Sequence, residues 1–102
     1  MDDKSESEIY DFYRRELIRA LNEQSFGIAH SEVTHFAENE ARGAITLLEG
    51  ETINVVLSSA GYQLSAQVKF YETLDDLLSS TSPTYSAKRV EILMARLQDI
   101  NK

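Results

Sequence analysis

The segment from Glu72 to Tyr85 reads ETLDDLLSSTSPTY, and a run with helical periodicity follows it as far as Ile100. Proline fixes its own φ, lacks an N–H and disfavours helix in the residue before it. Ser82-Pro83 therefore predicts the end of a short helix and the first turn of a longer one, which the Ser82 hydroxyl can cap. We expect the rest of the chain to form the body onto which this helical pair folds.

Length and composition indicate a small globular protein. The 102 residues suffice for one domain, predicted over 5–102 with a disordered start at 1–4. Hydrophobic residues make up 42% of the chain and charged residues 26%, as in ordinary soluble proteins. Cysteine is absent, which excludes disulfides, a thiolate nucleophile and a cysteine zinc site.

The chain shows no targeting or membrane signal. No apolar run approaches the roughly 20 residues that a membrane span needs. The first residues are acidic and polar, unlike a signal or transit peptide. These features predict a cytoplasmic protein, with the nucleus left open as an additional location, and no membrane partner.

The charge balance is acidic, with a formal net charge of -7. This argues against nucleic acid as a direct partner, because phosphate binding needs a basic surface. Residues 1–40 hold ten acids and four bases, so most of the excess lies in the first part of the chain. Such an acidic region either steers a basic partner or is simply a solvated helix and loop.

The first helix is predicted from a Ser-x-x-Glu capping box, Ser5 to Glu8, placed before an apolar run of helical period. It is expected to end between Asn22 and Gly27, where Asn, Ser and Gly cluster. One side of this helix is predicted to be apolar: Ile9, Tyr10, Tyr13, Leu17, Ala20, Leu21.

The middle of the chain predicts strands. Residues 32–37 have some strand character and 38–43 are expected to form an exposed loop. Three further strand predictions cover 44–48, 52–58 and 62–70, with a glycine turn at 59–61. Short turns between such runs predict an antiparallel meander of three to four strands. The predicted class is α+β: an N-terminal helix, the meander, then a short helix and a longer C-terminal helix packed on one face of the sheet.

The last helix has more apolar positions than one contact with a sheet requires. One stripe contains Val90, Leu93, Leu97 and Ile100, with Met94 at its edge. Tyr85 and Ile92 form a second ridge, and Arg89 and Arg96 lie between the two. Either the short helix and the first helix cover the second ridge, or part of the apolar surface is left for a partner.

The sequence lacks the patterns of an enzyme or a metal site. His30 and His35 match no helical metal-binding spacing, and the adjacent Asp75 and Asp76 point about 100° apart on a helix. Glycines occur singly, and no nucleophile elbow is present. We therefore predict a protein that is not an enzyme, with no metal and no cofactor.

Several residue groups keep a mutual spacing that resembles one family. They are Glu72-Thr73, Leu77-Leu78, Ser82-Pro83, Tyr85 and Leu93-Met94-Ala95-Arg96-Leu97. With the predicted order of elements, they resemble the domain family of the glycogen synthase kinase-3 beta interaction protein, also found in clustered-mitochondria proteins. The resemblance covers roughly residues 8–100, and its specific part is the C-terminal third.

This resemblance implies a non-catalytic adaptor. In animal members of the family the C-terminal helix binds glycogen synthase kinase-3, and the N-terminal helix anchors the regulatory subunit of protein kinase A. By the resemblance, the protein-binding positions of the last helix are Val90, Leu93, Met94, Arg96, Leu97, Ile100. The corresponding positions of the first helix are Ile9, Tyr13, Leu17, Ala20, Leu21. Arg89 stands where animal members have a phenylalanine.

Two alternatives stay open. Small stand-alone fungal members of the family suggest a chaperone that protects newly made translation elongation factor 1-alpha, a GTPase, because a basic, partly folded client suits an acidic surface. A small enzyme is the third alternative, and it would need a polar-lined pocket. The predicted partner is thus a kinase, a kinase regulatory subunit or a translation GTPase client.

Overall fold

A computed structural model describes the backbone of residues 3–100 and the side chains of residues 11–98. The first part of the chain forms α1 (Asp3–Glu23), a 3₁₀ turn (Ser25–Gly27), β1 (Ile28–Phe36), β2 (Glu40–Leu47) and β3 (Thr52–Ser58). The second part forms β4 (Gly61–Leu64), β5 (Phe70–Tyr71), α2 (Leu74–Thr81) and α3 (Pro83–Ile100). The α+β class and the predicted order of elements are confirmed. The division into a disordered start and one domain stays a prediction.

The sheet has five strands instead of the predicted three to four, in the order β1-β2-β3-β4-β5, and every neighbouring pair is antiparallel. The extra strand arises because the predicted strand 62–70 is broken. The chain turns after Leu64, and β5 returns to pair Tyr71 with Tyr62. Val68, in the connecting segment, is 89% exposed, so the alternation around it does not mark a buried strand face.

The predicted loop at 38–43 is wrong from Glu40 onward, because β2 begins there. Its first residues alternate across the sheet: Ala41 is fully buried, whereas the Arg42 guanidinium bonds the Glu40 carboxylate at 2.7 Å on the other face. A strand with one wet face can therefore begin with a polar, loop-like sequence. The Gly43 backbone lies under α1, and a Cβ there would come within 3.3 Å of Leu17 Cδ2.

The core lies between α1 and one face of the sheet. The α1 side chains that enter it are Leu17, Ala20 and Leu21, each at most 6% exposed. The sheet contributes alternate residues of its central strands: Ala41, Ile45, Leu47, Val55, Leu57. Full burial of a large aliphatic side chain is worth about 2 kcal/mol, so this layer is the main source of stability.

The joint between α2 and α3 follows the predicted local chemistry. The Thr73 hydroxyl accepts a hydrogen bond from the Asp76 N–H at 3.0 Å and caps α2. The Ser82 hydroxyl accepts the Tyr85 N–H at 3.0 Å, which confirms the predicted cap of α3 at Ser82-Pro83. Leu74, Leu77 and Leu78 of α2 are buried, so the short helix closes one end of the core.

The most extensive contacts of α3 are with the 3₁₀ turn and α2 rather than directly with the sheet. Tyr85, in its first turn, is fully buried, with its ring 5.4 Å from that of Phe26. Gly27 leaves room for this ring, since a Cβ there would lie 2.9 Å from Tyr85 Cε2 and closer still to Cδ2. From 87 to 98 every side chain except Ile92 is exposed. The helix is thus held mainly at its N-terminal end, and farther along it the half-buried Ile92 lies beside Phe26.

Candidate protein-interaction surface

The exposed part of α3 presents a continuous apolar surface. Four apolar side chains, spaced i, i+3, i+4 and i+7, are each 44–55% exposed: Val90, Leu93, Met94, Leu97. We call these four residues the α3 stripe. Contiguous exposed apolar surface is costly in water and is typical of protein–protein contact sites. The spacing is that of helices that bind in the groove of a partner.

The N-terminal end of α3 is fixed by a polar network around Tyr85. The Tyr85 hydroxyl contacts Asp75 of α2 and lies 2.7 Å from Gln24 Oε1, at the end of α1. Burial, followed by the hydrogen bond to Asp75, raises the pKa of this phenol above its ordinary value, so the hydroxyl keeps its proton. One buried ring therefore ties α3 to both other helices.

Arg89 belongs to the same network. Its Nε donates to Asp75 Oδ1 at 2.9 Å, so the guanidinium lies against α2. A shallow groove of about 420 Å³ begins beside it and continues along α3, with Phe26, Ile92 and Arg96 in its walls. The second ridge is thus divided: Tyr85 is covered, whereas Ile92 is half-buried at the groove.

Sequence reasoning missed Glu49, which lies in the turn between β2 and β3. Its carboxylate accepts the Thr84 N–H at 2.8 Å and the Ser82 hydroxyl at 2.8 Å, and so caps the start of α3. These two hydrogen bonds, the first being the stronger cause, lower the pKa of Glu49 to about 2. Acidic groups favour helix N-termini, but these contacts span 33 and 35 residues, and no local pattern marks them.

The predicted C-terminal positions lie together on α3. Four of them form the α3 stripe. The fifth, Arg96, is exposed on the same helix. The side chain of the sixth, Ile100, lies outside the described residues.

The predicted N-terminal positions do not form a surface of this kind. Leu17, Ala20 and Leu21 are buried in the core, Tyr13 is half-buried, and the side chain of Ile9 lies outside the described residues. In the folded protein, the apolar face of α1 is occupied by its own sheet.

Among the side chains that the structure describes, no group of three or more His, Asp or Glu residues could hold a metal ion. His30 and His35 are both exposed on β1. None of the described helices has the length and apolarity needed to cross a membrane.

A scan against protein-family models matched no family to this chain, and a search of the curated proteins found no match. The α3 stripe and the way α3 is held are therefore the features that bear on function.

Proposed function

We propose that this chain is a non-catalytic protein-interaction adaptor that presents α3 to an apolar groove of a protein partner in the cytoplasm. The observation that carries the proposal is the α3 stripe, four half-exposed apolar side chains on one side of a helix whose other end is fixed. Helix-in-groove recognition uses such anchors.

The size of the stripe bounds the affinity it can supply. Burying the exposed half of each side chain is worth about 1 kcal/mol, hence about 4 kcal/mol for the four. A binding free energy of that size corresponds to a dissociation constant of about 1 mM. A partner with useful affinity must therefore also contact the polar flanks of α3, where Arg96 and Lys88 are exposed.

The proposed partner is a protein kinase of the glycogen synthase kinase-3 type, which is what the resemblance of residues 93–97 implies. The exposure of Leu93 and Leu97 supports this assignment, because both side chains are available. Arg89 is expected to weaken kinase binding, because it is paired with Asp75 and supplies no aromatic anchor. Anchoring of a kinase regulatory subunit through α1 is less favoured, because the required side chains lie in the core.

The test is a pull-down with purified glycogen synthase kinase-3, comparing the wild type with Leu97→Ala. We expect the wild type to bind and the variant to lose most of the binding, as at an interface hot spot. Val68→Ala is the matched control, because Val68 is exposed and distant in sequence from α3. Circular dichroism checks that all three proteins are folded. No binding by the wild type, or an equal loss in the Val68 variant, would refute the kinase proposal.

A chaperone for elongation factor 1-alpha is the second proposed function, favoured by the net charge of -7. It predicts that newly made elongation factor is less soluble in cells that lack this protein. Unchanged solubility there would eliminate it. Affinity purification of the tagged protein with mass spectrometry separates the two candidates, since a kinase and an elongation factor are distinct signals.

A further inference from the structure

A second recess lies on another part of the molecule, between α1, the turn from β3 to β4, and the start of α2. Its volume is about 670 Å³, and we call it the α1–α2 groove. Its walls include Phe12, Tyr13 and Glu16 of α1, Tyr62 of β4, and Glu72 just before α2. None of the four residues of the α3 stripe lines it.

The groove contains aromatic rings that a ligand can reach. Phe12 is 49% exposed, and its ring meets that of Tyr13 edge-on, with centroids 5.0 Å apart and planes at 84°. Tyr62, deeper in the groove, is buried. A guanidinium or ammonium group placed over an exposed ring face is attracted by the ring quadrupole, most strongly where water is excluded.

The walls of the groove are acidic. Four carboxylates line it, those of Glu16, Glu23, Glu72 and Asp75, together with the guanidinium of Arg19. Asp75 is paired with Arg89 of α3, so two arginines face these four carboxylates. Arg19 pairs with Glu16 at 2.8 Å and with Glu23 at 2.6 Å, so its single positive charge is shared between two carboxylates.

Part of this negative charge is uncompensated. Glu72 forms no ion pair with any side chain that the structure describes. Burial, and then the charge of Glu16, raises the pKa of the Tyr62 phenol, so this side chain stays neutral. The recess therefore combines apolar ring faces with surplus negative charge.

We infer that the α1–α2 groove binds a basic segment of a protein partner, in which arginine or lysine alternates with apolar residues. The cationic groups would reach Glu16 and Glu72 and stack on Phe12, and the apolar side chains would fill the space between Tyr13 and Tyr62. Charge complementarity selects this occupant, because the same carboxylates repel phosphate and acidic peptides. This site does not use the α3 stripe, so the chain offers two docking sites of different chemistry.

The probe is a short fluorescein-labelled peptide in which arginine alternates with leucine, and its binding is followed by fluorescence anisotropy. The variant Glu16→Gln/Glu72→Gln should weaken binding about tenfold, and Phe12→Ala should weaken it severalfold. Binding should also fall as the salt concentration is raised to physiological ionic strength, because the carboxylates are at the protein surface.

The matched control is Glu32→Gln/Glu38→Gln, which raises the net charge by the same two, from -7 to -5, at exposed positions outside the groove. It should bind within about twofold of the wild type. A second probe with glutamate in place of arginine should not bind.

Three results would each overturn the inference. The first is no binding of the arginine probe by the wild type. The second is equal weakening by the two charge variants, which would indicate a non-specific attraction. The third is a loss of binding with Leu97→Ala as large as that with the groove variant, which would place the probe on the α3 stripe.

Discussion

Replacing Ser82 by alanine tests how α3 is held. The Ser82 side chain is fully buried and acts in two directions: its oxygen accepts the Tyr85 N–H at 3.0 Å, and its proton is donated to Glu49 at 2.8 Å. Ser82→Ala removes both hydrogen bonds without adding bulk. We therefore expect the variant to fold and to be less stable.

The expected loss follows from the cap. Removing a helix N-cap hydroxyl costs about 1–2 kcal/mol of unfolding free energy, and the buried setting of Ser82 favours the upper half of that range. In a domain of this size 1 kcal/mol corresponds to about 4–8 °C in Tm, so a loss of about 1.5–2 kcal/mol should lower the midpoint by about 6–16 °C. Thermal unfolding followed by circular dichroism measures this change, and urea unfolding gives the free energy.

The control is Ser79→Ala, since Ser79 is exposed on α2 and contacts α3 through its backbone carbonyl, which accepts the Ser86 hydroxyl at 3.0 Å and is kept in the variant. It should change the free energy of unfolding by no more than about 0.5 kcal/mol. A Ser82→Ala variant as stable as this control would refute the reasoning, because the cap would then contribute nothing.

The same variant has a pH signature. The folded-state pKa of Glu49 is lowered from 4.5 to about 2, so its contribution is present above pH 4.5 and is lost as the pH falls towards 2. Ser82 supplies one of the two main hydrogen bonds that lower this pKa. Stability measured across this range should therefore fall less steeply in Ser82→Ala than in the wild type, and an unchanged slope would contradict the assignment.

Three further substitutions test other parts of the fold by urea unfolding. Gly27→Ala should cost about 1–3 kcal/mol, because the new Cβ overlaps the ring of Tyr85; a neutral result would mean that the ring can move aside. Gly61→Ala should cost about 2 kcal/mol, since Gly61 has a φ of 114° and a Cβ would lie 2.5 Å from the Tyr71 carbonyl. Leu97→Ala should stay within about 0.5 kcal/mol, and a larger loss would show that the side chain is part of the folded core.

Local chemistry explains why the C-terminal joint was predictable. Ser82 supplies a hydroxyl that caps the helix, and Pro83 fits the first helical turn. Both effects act within four residues. The apolar spacing of α1 likewise predicted the three buried side chains of its C-terminal half. Where neighbouring residues decide the structure, sequence reasoning was sufficient.

The sequence-based predictions were wrong where residues far apart in the sequence determine the local structure. The segment 38–43 has a loop-like composition, but Ala41 and Gly43 become strand residues because β3 and α1 pack beside them. Apolar and polar residues alternate across 62–70, but the chain turns within this segment, and β5 pairs with β4. Glu49 was missed for the same reason: its partners are more than 30 residues away.

The candidate surface was predicted in part. The sequence indicated two apolar ridges on α3 but left open which one is covered. The answer depends on Gly27, whose missing side chain lets the Tyr85 ring enter the body of the protein. Of residues 90–97, every side chain except that of Ile92 stays exposed.

The attachment of α3 by its first turn has an evolutionary consequence. Residues that fold the domain and residues that form the α3 stripe are almost entirely different sets, because Leu93 and Leu97 contribute little to the core. Substitutions along the outer part of the helix can therefore accumulate with little loss of stability. Lineages of this chain could change partners by altering a few exposed positions while the same body is inherited unchanged.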